Sequence, residues 1–283
     1  MVICKTAAIL ENTLKKYYTN NINIGFVPTM GALHNGHIAL IEESKQQCAI
    51  TVASIFVNPT QFNDKNDFEK YPITIENDIF LLEKAGCDII FLPSVNEIYS
   101  DGIDNLKHYE LSYLEEILEG KYRKGHFQGV CNVVERLLLM VKPTILFLGQ
   151  KDYQQCMVVS KLVELMNWQN KLKLVIVPTI REENGLAMSS RNRRLTEEER
   201  TKAAAIYNNL LYMKNNFERL PFNGLIKRAE EELLKNGFLK IDYISICNAQ
   251  NLQPIAEYKE GVKLVVLIAA FIGEVRLIDN LLL

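Results

Sequence analysis

Two histidines stand three residues apart in the stretch Pro28-Thr29-Met30-Gly31-Ala32-Leu33-His34-Asn35-Gly36-His37. At that spacing both imidazoles share one side of a first helical turn. The stretch follows a short apolar run, Ile24–Pro28, and opens an amphipathic one, Gly36–Gln47. A strand running into a helix start offers unpaired backbone amides and the positive end of the helix dipole. In α/β folds nucleotide phosphates bind there. Gly31 and Gly36 let the backbone approach a phosphate closely. Imidazoles at that point donate hydrogen bonds to phosphoryl oxygens while charge builds up in adenylyl transfer. The plain alternative is a pair of solvated or capping histidines. The HxGH pattern directly after a strand favours nucleotide binding.

Four further segments carry polar groups suited to ligands. Met188-Ser189-Ser190-Arg191-Asn192 follows Arg181-Glu182-Glu183-Asn184-Gly185. Small hydroxyls beside a cation in a Gly-marked loop suit a triphosphate, because Ser and backbone amides donate and Arg supplies charge. Alone this signal is weak; paired with an upstream HxGH it is strong. Gly149-Gln150-Lys151-Asp152-Tyr153-Gln154-Gln155 stands at the carboxyl end of the run Thr144–Leu148, where open sheets bind ligands. Lys151 and Gln155, four apart at a helix start, face one site, and Lys151 neutralises phosphate charge. An ordinary turn capped by Asp152 accounts for the segment equally well. Phe56-Val57-Asn58-Pro59-Thr60-Gln61-Phe62 ends another strand. Its neutral Asn58 and Gln61 suit a small hydroxylated ligand better than a phosphate, with a polar turn broken by Pro59 as the even alternative. Gly120-Lys121-Tyr122-Arg123-Lys124-Gly125-His126-Phe127 is basic and precedes a helix. It suits a phosphate or carboxylate, although a solvated basic loop explains it slightly better.

The elements that must position these groups follow a regular order. Ala49–Val57 is β-branched and apolar, as a strand covered on both faces should be. With Ile24–Pro28 and Gly36–Gln47 it makes a βαβ unit of about 35 residues. Helix then strand recurs at Ile75–Ala85 and Asp88–Leu92, at Phe127–Val141 and Thr144–Leu148, and at Tyr153–Trp168 and Leu172–Val177. This alternation predicts a Rossmann-like, doubly wound parallel α/β sheet. After Arg181 the pattern changes. Thr196 caps the acidic turn of TEEER, and helices are expected at 196–217 and 223–236. Strands follow at Leu239–Cys247, Val262–Phe271 and Glu274–Leu281, the last two joined by a hairpin at Gly273. The expected division is a nucleotide- and substrate-binding domain, 1–180, and a smaller C-terminal α+β domain, 181–283, closing over the nucleotide.

Bulk properties narrow the class. Of 283 residues 48% are hydrophobic and 23% charged, with a net charge of −2, ordinary for a globular enzyme. No long basic run points to nucleic acid or an anionic membrane. The longest apolar run, Leu264–Gly273, is about half a membrane span and reads as a buried strand. Cys4, Cys48, Cys87, Cys131, Cys156 and Cys247 form no CxxC pair and read as buried reduced thiols. The opening residues reach Glu11 too soon for a signal peptide, so a reducing cytoplasm is expected.

The HxGH motif resembles the signature of nucleotidyltransferases and class I aminoacyl-tRNA synthetases, and SSRN resembles their second phosphate-binding motif. Taken together, the segments resemble the pantothenate synthetase family from about residue 1 to 283. PTMGALHNGH, SIFVNPTQF, the YP…T…D of Tyr71 to Asp78, GHFQGV, GQKDYQQ, GLAMSSRN and the ending RLIDN carry the likeness. Gln150 and Lys124 stand where members often have Glu and Pro, and Thr60 where a larger apolar residue is usual. The resemblance implies ATP-dependent condensation of pantoate with β-alanine through a pantoyl-adenylate. It implies His37 as proton donor, with His34 and Lys151 also catalytic. ATP would meet Met30 through His37, then Gly149, Gln150, Lys151, Asp152, Ile180, Met188, Ser189, Ser190 and Arg191. Pantoate would meet Gln61, Gln155, Met30 and Asn58, and β-alanine Gln61. Arg123 and His126 would line the site. Mg²⁺ would bridge the ATP phosphates, with Asp78 as its protein contact, and the chain would form a homodimer. Two other readings stand beside this one: a nucleotidyltransferase with a different substrate, and a catalytically inactive nucleotide-binding regulator.

Overall fold

The apolar runs that begin at Ile24, Ile50 and Ile145 become neighbouring inner strands of one sheet, where both faces are covered and no alternation is required. The computed structural model describes residues 1–63, 65–104 and 106–283. In chain order the first elements are β1 (Val2–Cys4), α1 (Ala7–Thr19), β2 (Ile24–Thr29), α2 (Asn35–Gln47), β3 (Ile50–Ile55), α3 (Lys65–Glu69), α4 (Ile75–Lys84) and β4 (Ile89–Phe91). Next come α5 (Val95–Ile98), α6 (Leu118–Tyr122), α7 (His126–Val141), β5 (Ile145–Gly149), α8 (Tyr153–Leu165) and β6 (Lys173–Val177). The remainder is α9 (Glu197–Ala203), α10 (Ala205–Asn216), α11 (Phe222–Lys235), β7 (Phe238–Asn248), β8 (Leu264–Ile272) and β9 (Val275–Leu282).

The six-stranded sheet runs β1-β4-β3-β2-β5-β6, and every pairing is parallel. This is the doubly wound α/β sheet that the alternation predicted. From β2 the chain moves outward through β3 and β4; from β5 it moves the other way to β6. The order therefore reverses between β2 and β5, which pair at Gly25↔Ile145 and Phe26↔Leu146. Ligands of open sheets bind at the carboxyl ends of the strands flanking such a reversal. On one face Leu40 and Ile41 of α2 and Leu82 of α4 pack on Val27, Ala53, Ile55 and Ile90. In α1 the spacing of Leu10 and Leu14 buries one stripe completely, and the Tyr18 hydroxyl donates to the Val141 carbonyl at the end of α7.

Two compact units result. The first holds residues 1–149 and 155–178, the second residues 150–154 and 179–283. A single cut near 180 does not capture the short 150–154 segment, which groups with the later part of the chain. In the second unit β7-β8-β9 form an antiparallel sheet, with Leu264, Val266, Ile268 and Ala270 of β8 packing on apolar residues of α10 and α11. The β8–β9 link is a two-residue turn in which Gly273 takes φ +52°, the conformation such a hairpin needs at its first central position. The helix expected over 196–217 is broken at Ala204, whose N–H turns to the carbonyls of Thr201 and Lys202. β1 and α1 were not anticipated; a three-residue edge strand is too short to display a period.

All six cysteines are buried and none is in a disulfide. Burial pushes the Cys87 thiol up to about 11, so it stays protonated near neutral pH. Among the described residues no helix is long and apolar enough to cross a membrane.

Candidate active site

The loop between β2 and α2 is built by hydrogen bonds that hold it against the sheet. Thr29 ends β2, donates its hydroxyl to the Ser54 carbonyl at 2.7 Å and accepts the Gly31 N–H at 3.2 Å. Gly31 has φ +79° and Ala32 φ +49°. A left-handed alanine persists only where its surroundings over-determine it. Here the Asp78 carboxylate does so, accepting the N–H of Ala32 at 2.9 Å and of Leu33 at 2.8 Å. Thr74 donates to the same carboxylate at 3.1 Å. This explains the YP…T…D motif: Thr74 and Asp78 lie one turn apart at the start of α4 and pin the histidine loop.

That arrangement gives three of the expected ligand contacts partners within the protein. Asp78, expected as the protein contact of Mg²⁺, is fully buried with both oxygens engaged and anchors the loop. Ala32 and Leu33, expected to meet ATP, are buried and give their N–H groups to Asp78, which shapes the loop. Among the described residues no group of three or more His, Cys, Asp or Glu could hold a metal ion.

His34 is the N-cap of α2. Its Nδ1 accepts the Gly36 N–H at 3.1 Å, while Nδ1 of His37 reaches back to the His34 N–H at 3.3 Å. The pair forms a capping box made of two imidazoles. Capping and chemistry are therefore not alternatives. With Nδ1 accepting in both rings, the proton of each neutral imidazole sits on Nε2, which becomes the donor. The ring centroids are 4.1 Å apart. Two Nε2–H donors side by side at a helix N-terminus suit an anion.

The third element at this end of the sheet is the 3-10 turn Pro59–Gln61, after β3. Asn58 caps it and is 1% exposed. Its Nδ2 donates to Gln61 Oε1 at 3.2 Å and to the Gly129 carbonyl at 3.1 Å. Its Oδ1 accepts from Tyr99 at 2.7 Å and from Thr60. Every hydrogen-bonding position of the amide is occupied, and Asn58, expected to touch substrate, positions Gln61. Gln61 Nε2 lies 2.7 Å from Met30 Sδ, which brings Met30 and Gln61 together as expected. His126, buried at the start of α7, bonds the Gln61 carbonyl through Nδ1 at 2.8 Å, and Arg123 lies 3.0 Å from its Nε2. These two brace the turn from behind. A Cβ at Gly129 would collide with the Thr60 carbonyl and Gln61 Cα, so α7 reaches this turn only because that residue is glycine.

Gly149 ends β5, and Gln155 stands on α8, partly buried. Lys151 does not sit on a helical turn with Gln155 as expected. It lies in the 3-10 turn Gln150–Asp152, and α8 begins at Tyr153.

In the second unit Asn280 holds that turn. Its Nδ2 donates to the carbonyls of Gln150 and Lys151 at 2.9 Å each, and its Oδ1 accepts from Gln150 Nε2 at 3.2 Å. Asp279 accepts both guanidinium nitrogens of Arg181, at 2.5 and 3.1 Å, and Arg181 stacks on Tyr207 at 3.8 Å. Burial pushes the Asp279 carboxyl up, and Arg181 pulls it back. Ile180 and Met188 face each other across a hairpin, bonded Met188 N–H to Ile180 carbonyl, whose turn is closed by Gly185 at φ +92°. Arg181–Gly185 thus forms one arm and the turn of this hairpin. Ser189 caps the 3-10 turn Ser190–Arg194 by accepting the Arg191 N–H at 3.3 Å. Glu182 accepts from Arg200 at 2.7 and 3.0 Å and from Asn192 at 2.8 Å, and so ties the hairpin to the serine turn. The Arg200 guanidinium holds the Glu182 carboxyl below the usual carboxylate range. Tyr99, Gly129, Arg181, Asp279 and Asn280 were not singled out as site residues. The only sequence trace of the last two is the RLIDN ending.

A histidine-capped helix start beside the strand-order reversal of a parallel sheet defines a nucleotide-binding α/β protein. Comparison with known proteins makes the class specific. The family model of pantoate–β-alanine ligase matches residues 2–282. Pantothenate synthetase of Azobacteroides pseudotrichonymphae genomovar. CFP2 is 42% identical over 282 residues, 99% of each chain. A pantothenate synthetase structure from Thermus thermophilus superposes with a TM-score of 0.91 at 39% identity, covering 99% of both chains. A pantoate–β-alanine ligase structure from Francisella tularensis, complexed with Beta-gamma ATP and β-alanine, gives 0.82 at 36% identity, covering 100% of this chain and 97% of that one. The chain belongs to the pantoate–β-alanine ligase family.

Proposed function

We propose that this ligase, which joins pantoate to β-alanine with ATP, works through a pantoyl-adenylate. A carboxylate is a poor acyl donor at neutral pH. Attack of a pantoate carboxylate oxygen on the α-phosphorus expels pyrophosphate and installs a good leaving group. The β-alanine amine then attacks the activated carbonyl, and AMP departs with the C–O bonding pair. Neither step needs a covalent enzyme intermediate; both need positioning and charge stabilisation.

The observation that carries this reading is the imidazole capping box. Nδ1 of His34 and of His37 accept backbone N–H groups, which leaves Nε2–H as the donor in each ring at the α2 start. Those donors stabilise the phosphates during adenylyl transfer, with His37 as proton donor. Lys151, Ser189, Ser190 and Arg191 neutralise and bind phosphates. Gly149, Gln150, Asp152, Ile180 and Met188 contact the nucleotide. Gln61 and Gln155 bind pantoate, and Gln61 also meets β-alanine. ATP enters as its Mg²⁺ complex. The enzyme works in the cytoplasm as a homodimer.

Exchange of labelled pyrophosphate into ATP tests the intermediate. Exchange should require pantoate and proceed without β-alanine. Exchange independent of pantoate, or exchange only when β-alanine is present, would overturn the reading.

A further inference from the structure

An amide side chain is ambiguous by shape: turned over, it offers a carbonyl where it offered a donor. Gln61 is such a group, and its orientation decides whether it donates to a ligand or accepts from it. In this structure a chain of buried contacts sets it. The Tyr99 hydroxyl stands 2.7 Å from Asn58 Oδ1, an acceptor-only atom, so Tyr99 donates. The Thr60 N–H donates to the same oxygen at 3.3 Å, and the Gly129 carbonyl requires a donor from Nδ2 at 3.1 Å. Asn58 therefore has one permitted orientation, with its second Nδ2 proton directed to Gln61 Oε1 at 3.2 Å. That contact ties the Gln61 oxygen inward and leaves Nε2, 2.7 Å from Met30 Sδ, as the donating end.

We propose that Tyr99 is a positioning residue that secures the polarity of Gln61 by holding Asn58 in place, so that the site offers pantoate an amide donor and selects an anionic acid. The inference rests on Gln61 being a pantoate ligand. Tyr99 lies 41 residues from Asn58 in sequence and is 3% exposed. The Arg136 guanidinium lies 4.9 Å from the centroid of its ring, holding the ring in place. Burial raises the Tyr99 hydroxyl above its ordinary range, which keeps the proton available. The Thr60 hydroxyl, 3.1 Å from both Tyr99 Oη and Asn58 Oδ1, closes the network. With the tyrosine donor gone, Asn58 Oδ1 keeps only its longer contacts to Thr60, and the amide that directs Nδ2 to Gln61 is held less firmly.

Tyr99→Phe removes the hydroxyl and keeps the ring. The KM for pantoate should rise about tenfold, the scale of one lost hydrogen bond, while the KM for ATP stays within a factor of about two. Gln61→Ala should raise the pantoate KM on its own, and Tyr99→Phe added to it should change little further. In the intact enzyme pantoate should bind much more tightly than its neutral amide, and Tyr99→Phe should narrow that ratio. A tyrosine that merely supports the fold would lower Tm and active fraction without moving the ratio. Equal affinity of wild type for acid and amide, or an unchanged ratio and pantoate KM in Tyr99→Phe, would overturn the proposal. If Gln61→Ala itself leaves the pantoate KM unchanged, the reading beneath it fails instead.

Discussion

The carboxylate of Asp78 accepts the backbone N–H of Ala32 at 2.9 Å across 46 residues of chain. The loop that carries both histidines is thereby held from the start of a different helix. Replacing Asp78 by Asn leaves one acceptor where two N–H groups need one each, and a buried donor loses its partner. That costs about 1–3 kcal/mol. Asp78→Asn should melt earlier in differential scanning fluorimetry and exchange pyrophosphate more slowly, and added Mg²⁺ should not restore exchange. Recovery by Mg²⁺ would show that the carboxylate contacts the ion after all.

His37 combines a cap with a donor. His37→Ala removes the acceptor for the His34 N–H, worth about 1 kcal/mol of stability, and an Nε2–H donor, worth ~3 kcal/mol or about 100-fold in adenylation. Circular dichroism should show a folded protein while pyrophosphate exchange falls by about that factor. Near wild-type exchange would remove His37 from the proposed chemistry.

Gln155 tests the acid-binding half of the site alone. Gln155→Glu changes shape little but exchanges donors for a negative charge near a negative substrate. Pantoate affinity measured by calorimetry should fall by about 2 kcal/mol or more, while ATP affinity changes much less. Equal losses for both ligands would show that Gln155 is misassigned.

Glu182 gives a pH signature. Its carboxyl is held below the ordinary range by Arg200, so its contribution is present above the unfolded value of about 4.3 and is lost as pH falls through the folded pKa. The Arg200 side chain is 40% exposed, which limits the pair to about 1 kcal/mol. Glu182→Gln should therefore be less stable than wild type at about pH 7, and the gap should close below about pH 4. Urea unfolding across that range measures it; a gap constant down to about pH 3 would rule out the linkage.

What the amino-acid order determined by itself was local. Continuous β-branched runs read correctly as inner strands, because a strand buried on both faces needs no alternation. HxGH after a strand marked a helix start, because its cap is made by residues two and three positions apart. The tertiary structure decided everything that depends on a distant partner. Nothing in the one-dimensional context of Asp78 shows that its carboxylate meets two backbone amides; the packing of α4 beside the loop does that. Ala32 and Leu33 sit inside a ligand-like motif, and only the fold buries them and turns their N–H groups to Asp78. Asn280 reaches the Lys151 carbonyl across 129 residues, and Tyr99 reaches Asn58 across 41. A hydrogen bond needs its two atoms about 3 Å apart, and no periodicity in a sequence encodes which remote polar groups the fold brings that close.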